Sequence, residues 1–267
     1  MTTALRSQPL PDGRTTPESL ARHVSPGEWQ ARVELAACYR IFDRLGWSEM
    51  IFNHISVRVP GEEGHLLINP FGLTYSEVTA SNLIKIDYAG TILSPTQWSV
   101  NEAGLVIHSA IHENRPDAHC VMHTHTTAGS AVACLADGLD WNNFYAAQIY
   151  HQVAYHDFEG ITVRPEEKVR LVADLGEANL MILRNHGLLA LGPTLPAAFA
   201  LLWTLQRACE IQIAAQQTGR PLQPVTEAAA LQSTAESFQA GDRTDAGRTL
   251  FEALVRALDR DHVDYAG

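Results

Sequence analysis

The sequence predicts a layered α/β domain in which a sheet with antiparallel strands is sandwiched between helices. Three observations predict it. Strand and helix patterns alternate without a break from about residue 25 to residue 219. A hairpin signal at 55–68 excludes a purely parallel sheet, because strands joined by a tight turn run antiparallel. The chain has 267 residues, 46% hydrophobic and 18% charged, enough for one large core or two small ones.

Residues 1–24 are polar and rich in Pro, Thr and Arg. They are expected to form a disordered leader, not a signal peptide, which would carry an apolar core. Ser25-Pro-Gly-Glu28 reads as a capping box with proline at the first helical position, and its helix is expected to stop at Gly46. Residues 55–59 alternate, Pro60-Gly-Glu-Glu-Gly64 turns, and 65–68 returns. Residues 83–87 are a further strand, with a turn at 88–90 before a strand at 91–93. A helix over 101–114 carries Leu105, Ile107, His108 and Ile111 on a wide inner face, and Arg115-Pro116 ends it. The strand at 120–122 leads into His123, and a small-residue helix follows over 127–135. Short strands are expected at 153–155 and 161–163, a helix at 165–175, and strands at 180–183 and 188–191. Thr194 caps a long helix to about Gln217, with Gly219 as its stop. The Gly/Pro/Gln-rich stretch 216–224 reads as a linker. Residues 220–267 read as a tail whose Ala-rich helix, 246–258, suits docking on the domain or on a neighbouring subunit.

The formal charge of −11 and the absence of a basic stripe argue against nucleic acid or an anionic membrane surface as a partner. The apolar runs are too short to span a bilayer. Cys38, Cys120, Cys134 and Cys209 are widely spaced in apolar surroundings. They read as buried thiols of a reducing cytoplasm, not as a disulfide frame.

His123 and His125 lie two apart at the end of a strand pattern and so share a face. Two adjacent imidazoles repel when charged and gain little when neutral, but suit a divalent metal. His186 again follows an apolar run. Three converging imidazoles leave a metal with open coordination positions, as catalytic zinc sites do. The alternative for the pair is two strand histidines bonded to backbone carbonyls.

Four segments carry a resemblance: Ile68-Asn-Pro-Phe-Gly-Leu-Thr-Tyr-Ser-Glu-Val-Thr-Ala80, His108-Ser-Ala-Ile-His-Glu-Asn-Arg-Pro-Asp117, His123-Thr-His125 and Arg184-Asn-His-Gly-Leu188. Together they resemble the class II aldolase/adducin family, in family order across roughly residues 28–217. Tyr155-His-Asp-Phe-Glu-Gly160 and Cys209-Glu-Ile-Gln212 are similar to adducin head domains, which places the chain nearer that branch than the sugar-phosphate aldolases. The resemblance implies a three-layer α/β/α sandwich with a mixed, mostly antiparallel sheet. It implies a homotetramer with active sites at subunit interfaces, and zinc held by His123, His125 and His186. A tyrosine reaching a neighbouring site is also implied, with Tyr155 the catalytic candidate among Tyr145, Tyr150 and Tyr155.

The departures from the pattern bear on substrate. The acid/base glutamate of the aldolases falls on Gly104. Glu102, the nearest carboxylate, is a catalytic candidate, although two residues away on a helix it points elsewhere. A phosphate-binding Thr-Gly pair is Phe71-Gly72 here, two serines are Glu102 and Ala103, and a phosphate-contacting asparagine is His54. Asn53, His54, Phe71, Gly72 and His108 are therefore candidate substrate-binding positions for something other than a sugar phosphate. His108 also fits a plain core histidine.

These readings point to a metal-dependent lyase, of retro-aldol or decarboxylase type, acting on a small non-phosphorylated hydroxy or keto acid or carbonyl compound. The metal would stabilise the enolate that forms when a C–C bond breaks. The vacancy at 104 tilts the reading towards decarboxylation, in which carbon dioxide leaves without deprotonation of a hydroxyl. Zinc is the leading ion, with Fe(II) and Mn(II) as alternatives. With Fe(II), the alternative activity is an oxygenase performing oxidative decarboxylation of an aromatic acid. The reading from a different class is a non-catalytic, adducin-like assembly module.

Overall fold

Side chains alternate across a strand, and in this chain the alternation sorts the helices into two layers. The computed structural model describes residues 17–239 and 247–267. Its strands are β1 (His54–Arg58), β2 (His65–Ile68), β3 (Ile84–Asp87), β4 (Cys120–Thr124), β5 (Val153–His156), β6 (Leu180–Leu183) and β7 (Gly187–Gly192). They form one sheet in the order β3-β2-β1-β4-β7-β6-β5. Every neighbouring pair is antiparallel except β5 and β6. The α-helices among the described residues are α1 (Pro17–His23), α2 (Pro26–Leu45), α3 (Glu102–Asn114), α4 (Thr127–Ala133), α5 (Phe144–Ala147), α6 (Glu167–Leu175), α7 (Leu195–Gln216), α8 (Glu227–Gln239) and α9 (Arg248–Arg260).

Ile55, Val57, Met122, Ile182 and Ala190 face the layer of α2 and α7, packing with Leu35, Phe42, Phe199 and Leu202. Val121, Met181, Leu189 and Leu191 face the other way, onto Ile107 and Ile111 of α3 and Leu171 and Leu175 of α6. The result is an α/β three-layer sandwich with a mixed, mostly antiparallel sheet, as expected.

Local signals set several boundaries. Ser25 accepts a hydrogen bond from the Glu28 amide to cap α2, and Gly46 ends it in the left-handed region at φ 71°. The capping box is half formed, because the Glu28 carboxylate is drawn instead to the buried Arg32 and to Lys85. Thr194 caps α7 through the Ala197 amide.

Other expectations need correction. Residues 1–16 of the expected leader lie outside the described residues, but 17–23 form α1. Residues 161–163 make no strand; the Val163 amide bonds to the Ile161 carbonyl in a tight turn. At 91–93 only an isolated bridge, Ile92 to Ile86, forms. The tail holds a second helix, α8, whose start is marked by the Thr226 hydroxyl accepting from the Ala229 amide. The Ala246 start expected for the last helix lies outside the described residues; α9 begins at Arg248. It lays Phe251 against Phe199, ring centroids 5.7 Å apart. Cys134, at the end of α4 where the chain turns outward, is exposed, while the other three thiols are buried.

Candidate metal centre

β4 delivers His123 from the middle of the sheet, and His125 follows one residue past the strand's end. The third histidine arrives on the β6–β7 hairpin. That hairpin turns through Asn185, held in the left-handed region at φ 56°, with its amide bonded to the Ala133 carbonyl. Ser130 of α4 donates to the His186 carbonyl at 2.8 Å, so α4 clamps the turn. Gly187 permits the approach: a Cβ there would fall 2.2 Å from the Thr124 carbonyl oxygen. Asn53 anchors the other side, donating to the Trp47 carbonyl at 2.7 Å and accepting from the His125 amide at 3.1 Å.

The three Nε2 atoms converge. His123 to His125 is 2.7 Å, His125 to His186 2.9 Å, and His123 to His186 3.2 Å. Nitrogen ligands about 2.0–2.1 Å from a tetrahedral ion stand about 3.3 Å apart, so the triangle is slightly tighter than a zinc site. Protons cannot satisfy it. The Leu188 carbonyl, 2.9 Å from His123 Nδ1, can only accept, so Nδ1 holds the proton and Nε2 is a bare lone pair. One cation satisfies all three contacts together. Among the described residues this trio is the group of His, Cys, Asp and Glu side chains placed to hold a metal ion.

Electrostatics keep the trio neutral and ready to ligate. Burial, then the neighbouring His186 and His125, holds His123 well below the ordinary histidine range. Burial lowers His125, against the pull of Glu49. Burial and then His125 and His156 bring His186 down to about 4.

Two of the trio, His125 and His186, line a pocket of about 580 Å³, with His123 buried behind them. His54, His125 and His186 form its polar floor, and Phe52, Phe71, Phe158, Ile161 and Val163 its walls. Among the described residues that line it, Glu102 is the charged one, and none is lysine or arginine.

The other sequence-derived candidates fall into two groups. His54, Phe71 and Glu102 line the pocket; Asn53, Gly72, His108 and Tyr155 do not. Asn53 is buried and spends both ends of its amide on backbone. Gly72 has φ 106° and faces the Trp98 ring. His108 is buried behind His54, at 2.8 Å. The Tyr155 hydroxyl accepts from the Leu139 amide at 3.0 Å, with Arg184 over its ring. The sequence reading missed Ser56, which bonds His108 from behind, and His112, which bonds Ser56 in turn. It missed the apolar walls as well. Spacing offered one signal: His54 and Ser56 are two apart on a strand, and His108 and His112 four apart on a helix.

Comparison with known proteins shows the family. The family model described as Class II Aldolase and Adducin N-terminal domain matches residues 33–213. A Pseudomonas aeruginosa protein provisionally named as a class 2 aldolase is 44% identical over 253 residues, 93% of this chain and 96% of its own length. Alpha-adducin of Rattus norvegicus is 43% identical over 246 residues, 87% of this chain but 33% of that protein. The solved L-fuculose 1-phosphate aldolase of Glaciozyma antarctica PI12 superposes with a TM-score of 0.77 at 27% identity, covering 96% of each chain.

Proposed function

We propose that this chain, which belongs to the class II aldolase and adducin family, is a metal-dependent lyase. Its substrate would be a small, non-phosphorylated hydroxy acid, keto acid or carbonyl compound, cleaved at a C–C bond beside the carbonyl or carboxylate. The observation that carries the reading is the convergence of three Nε2 atoms beside a pocket that His125 and His186 line and that has no lysine or arginine among its described lining residues. His123, His125 and His186 would hold the ion. Three neutral ligands leave it a full positive charge, and it supplies Lewis-acid stabilisation of negative charge on a substrate oxygen. The aromatic and aliphatic walls seat an apolar substituent. Glu102, which lines the pocket, repels a phosphate.

Zinc is the favoured ion, because the trio lacks the carboxylate of the two-histidine, one-carboxylate iron sites. Phe144, Phe158, Ile161 and Val169 are exposed apolar side chains, which supports a homo-oligomer, the tetramer of the resemblance. Tyr155 would take its catalytic part only across such an interface. The buried free thiols fit a reducing, cytoplasmic setting.

The test is metal quantification after gentle purification, joined to a screen of hydroxy and keto acids for released aldehyde or carbon dioxide. Stoichiometric zinc and metal-dependent turnover are expected, with His125→Ala losing both. Full turnover without metal overturns the reading. Clearly substoichiometric metal with no turnover favours the assembly module suggested by the likeness to alpha-adducin.

A further inference from the structure

Behind the pocket wall a hydrogen-bonded chain runs into the protein. His54 Nδ1 lies 2.8 Å from His108 Nε2. His108 Nδ1 lies 2.5 Å from Ser56 Oγ. Ser56 Oγ lies 2.8 Å from His112 Nε2, and His112 Nδ1 2.9 Å from the Ala118 carbonyl oxygen. β1 supplies two members from one face and α3 two from successive turns. All four are buried, none more than 2% exposed.

Proton bookkeeping allows these neutral groups one arrangement. A carbonyl oxygen only accepts, so His112 Nδ1 carries the proton and its Nε2 is a lone pair. The Ser56 hydroxyl must then donate to His112. Having one hydrogen, Ser56 can only accept from His108, so His108 is also protonated at Nδ1. His108 Nε2 is bare in turn and accepts from His54 Nδ1. At the pocket end His54 Nε2 is left with a free lone pair and no hydrogen-bond partner among the described residues. Behind His54, burial keeps the chain neutral: it drives His108 well below the ordinary range and His112 down to about 3. Gly104 provides the room: a Cβ there would lie 2.7 Å from His54 Cδ2 and 3.1 Å from its Nε2.

We propose that His54 is the base of the reaction, its Nε2 kept free by a one-directional chain through His108, Ser56 and His112 to the Ala118 carbonyl. The proposal rests on the lyase reading and narrows it. Decarboxylation needs no proton acceptor, whereas aldol cleavage does, so the substrate class becomes a β-hydroxy carbonyl or carboxylate compound. Its hydroxyl gives a proton to Nε2, and the O–H electron pair becomes the C=O π bond of the departing aldehyde or ketone. The adjacent C–C bond breaks, and its pair passes to the other fragment as an enolate. The His54 imidazolium returns its proton to the enolate carbon. Atoms and electrons balance with no oxidant or reductant. His54 touches substrate; His108, Ser56 and His112 are positioning residues.

Two measurements on zinc-loaded protein test this. Long-range proton–nitrogen spectra of ¹⁵N-histidine-labelled protein report which ring nitrogen carries each proton. His54, His108 and His112 are expected protonated at Nδ1. In Ser56→Ala, His112 is expected unchanged while His108 and His54 become tautomer mixtures. An Nε2-protonated His54 in the unsubstituted chain overturns the proposal. The second measurement is exchange of the α-hydrogens of hydroxyacetone and pyruvate in D₂O, the reverse of the final proton transfer. Exchange is expected, with His54→Gln keeping its zinc but slowing exchange by about 100-fold or more. Unchanged exchange in His54→Gln overturns the base, as does loss of its zinc, which would make His54 a metal-site residue. No exchange in the zinc-replete protein also overturns the base while leaving the metal centre standing. A protein that takes up no zinc at all sinks the lyase reading itself.

Discussion

Substituting Gly104 by alanine separates two opposed effects of known size. Gly104 lies in the first turn of α3, and in a bare helix alanine is better than glycine by about 1 kcal/mol. Here the added Cβ would meet His54 Cδ2 at 2.7 Å, Cγ at 2.9 Å and Nε2 at 3.1 Å. Carbon–carbon contacts are best at about 3.5–4.0 Å, so the ring must move by several tenths of an ångström. It is not free to do so: its Nδ1 is tied to His108, and its other face lies against His123, with ring centroids 5.0 Å apart. Overpacking of this kind costs about 1–3 kcal/mol. If the ring yields, the buried pair with His108 breaks at about 1–3 kcal/mol instead. Subtracting the helix gain leaves Gly104→Ala about 0–2 kcal/mol less stable. Urea unfolding at fixed pH, with matching slopes for both proteins, measures it. A variant more stable by about 1 kcal/mol would show that His54 does not fill that space, and the positioning argument for its Nε2 would fall with it.

The buried Arg32 is bonded through Nε to Glu28 at 2.9 Å, and Lys85 meets the same carboxylate from the side. Glu28→Gln removes the counter-charge and is expected to cost about 3–5 kcal/mol by urea unfolding; a loss below about 1 kcal/mol would refute that account. His112 is held neutral down to about 3 against an ordinary value of 6.5, so between those values the unfolded chain binds more protons than the folded one. Stability is therefore complete above 6.5 and falls as pH drops, by about 1.4 kcal/mol per unit for each histidine so held, levelling for His112 below about pH 3. His54 and His108 share the direction. Unfolding midpoints measured in chelator should decline across that window, and a flat profile from about pH 7 to 5 would contradict the neutral chain.

What could be read from the sequence was local. The Ser25 cap, the hairpin at β1 and β2 and the Thr194 cap each announce themselves within a few residues. The histidine trio was readable because two members are two apart at the end of a strand and the third lies in a matching motif. The placement of β4 between β1 and β7 was not, since it joins segments more than sixty residues apart. α8 was not anticipated although Thr226 marks its start. The sequence presents position 104 only as a glycine. A glycine on a helix does not reveal that an imidazole from β1 lies in the space it leaves.

Gly187 shows how such a centre can be lost without touching a ligand. Any larger residue would press on the Thr124 carbonyl and prise β7 from β4, carrying the imidazole at 186 off its mark. A descendant could then keep all three histidines and still fail to capture an ion. Sorting catalytic from purely architectural relatives therefore calls for inspecting this hydrogen-only side chain beside the conspicuous ring-bearing ones, because the spacing between backbones decides whether the rings can cooperate.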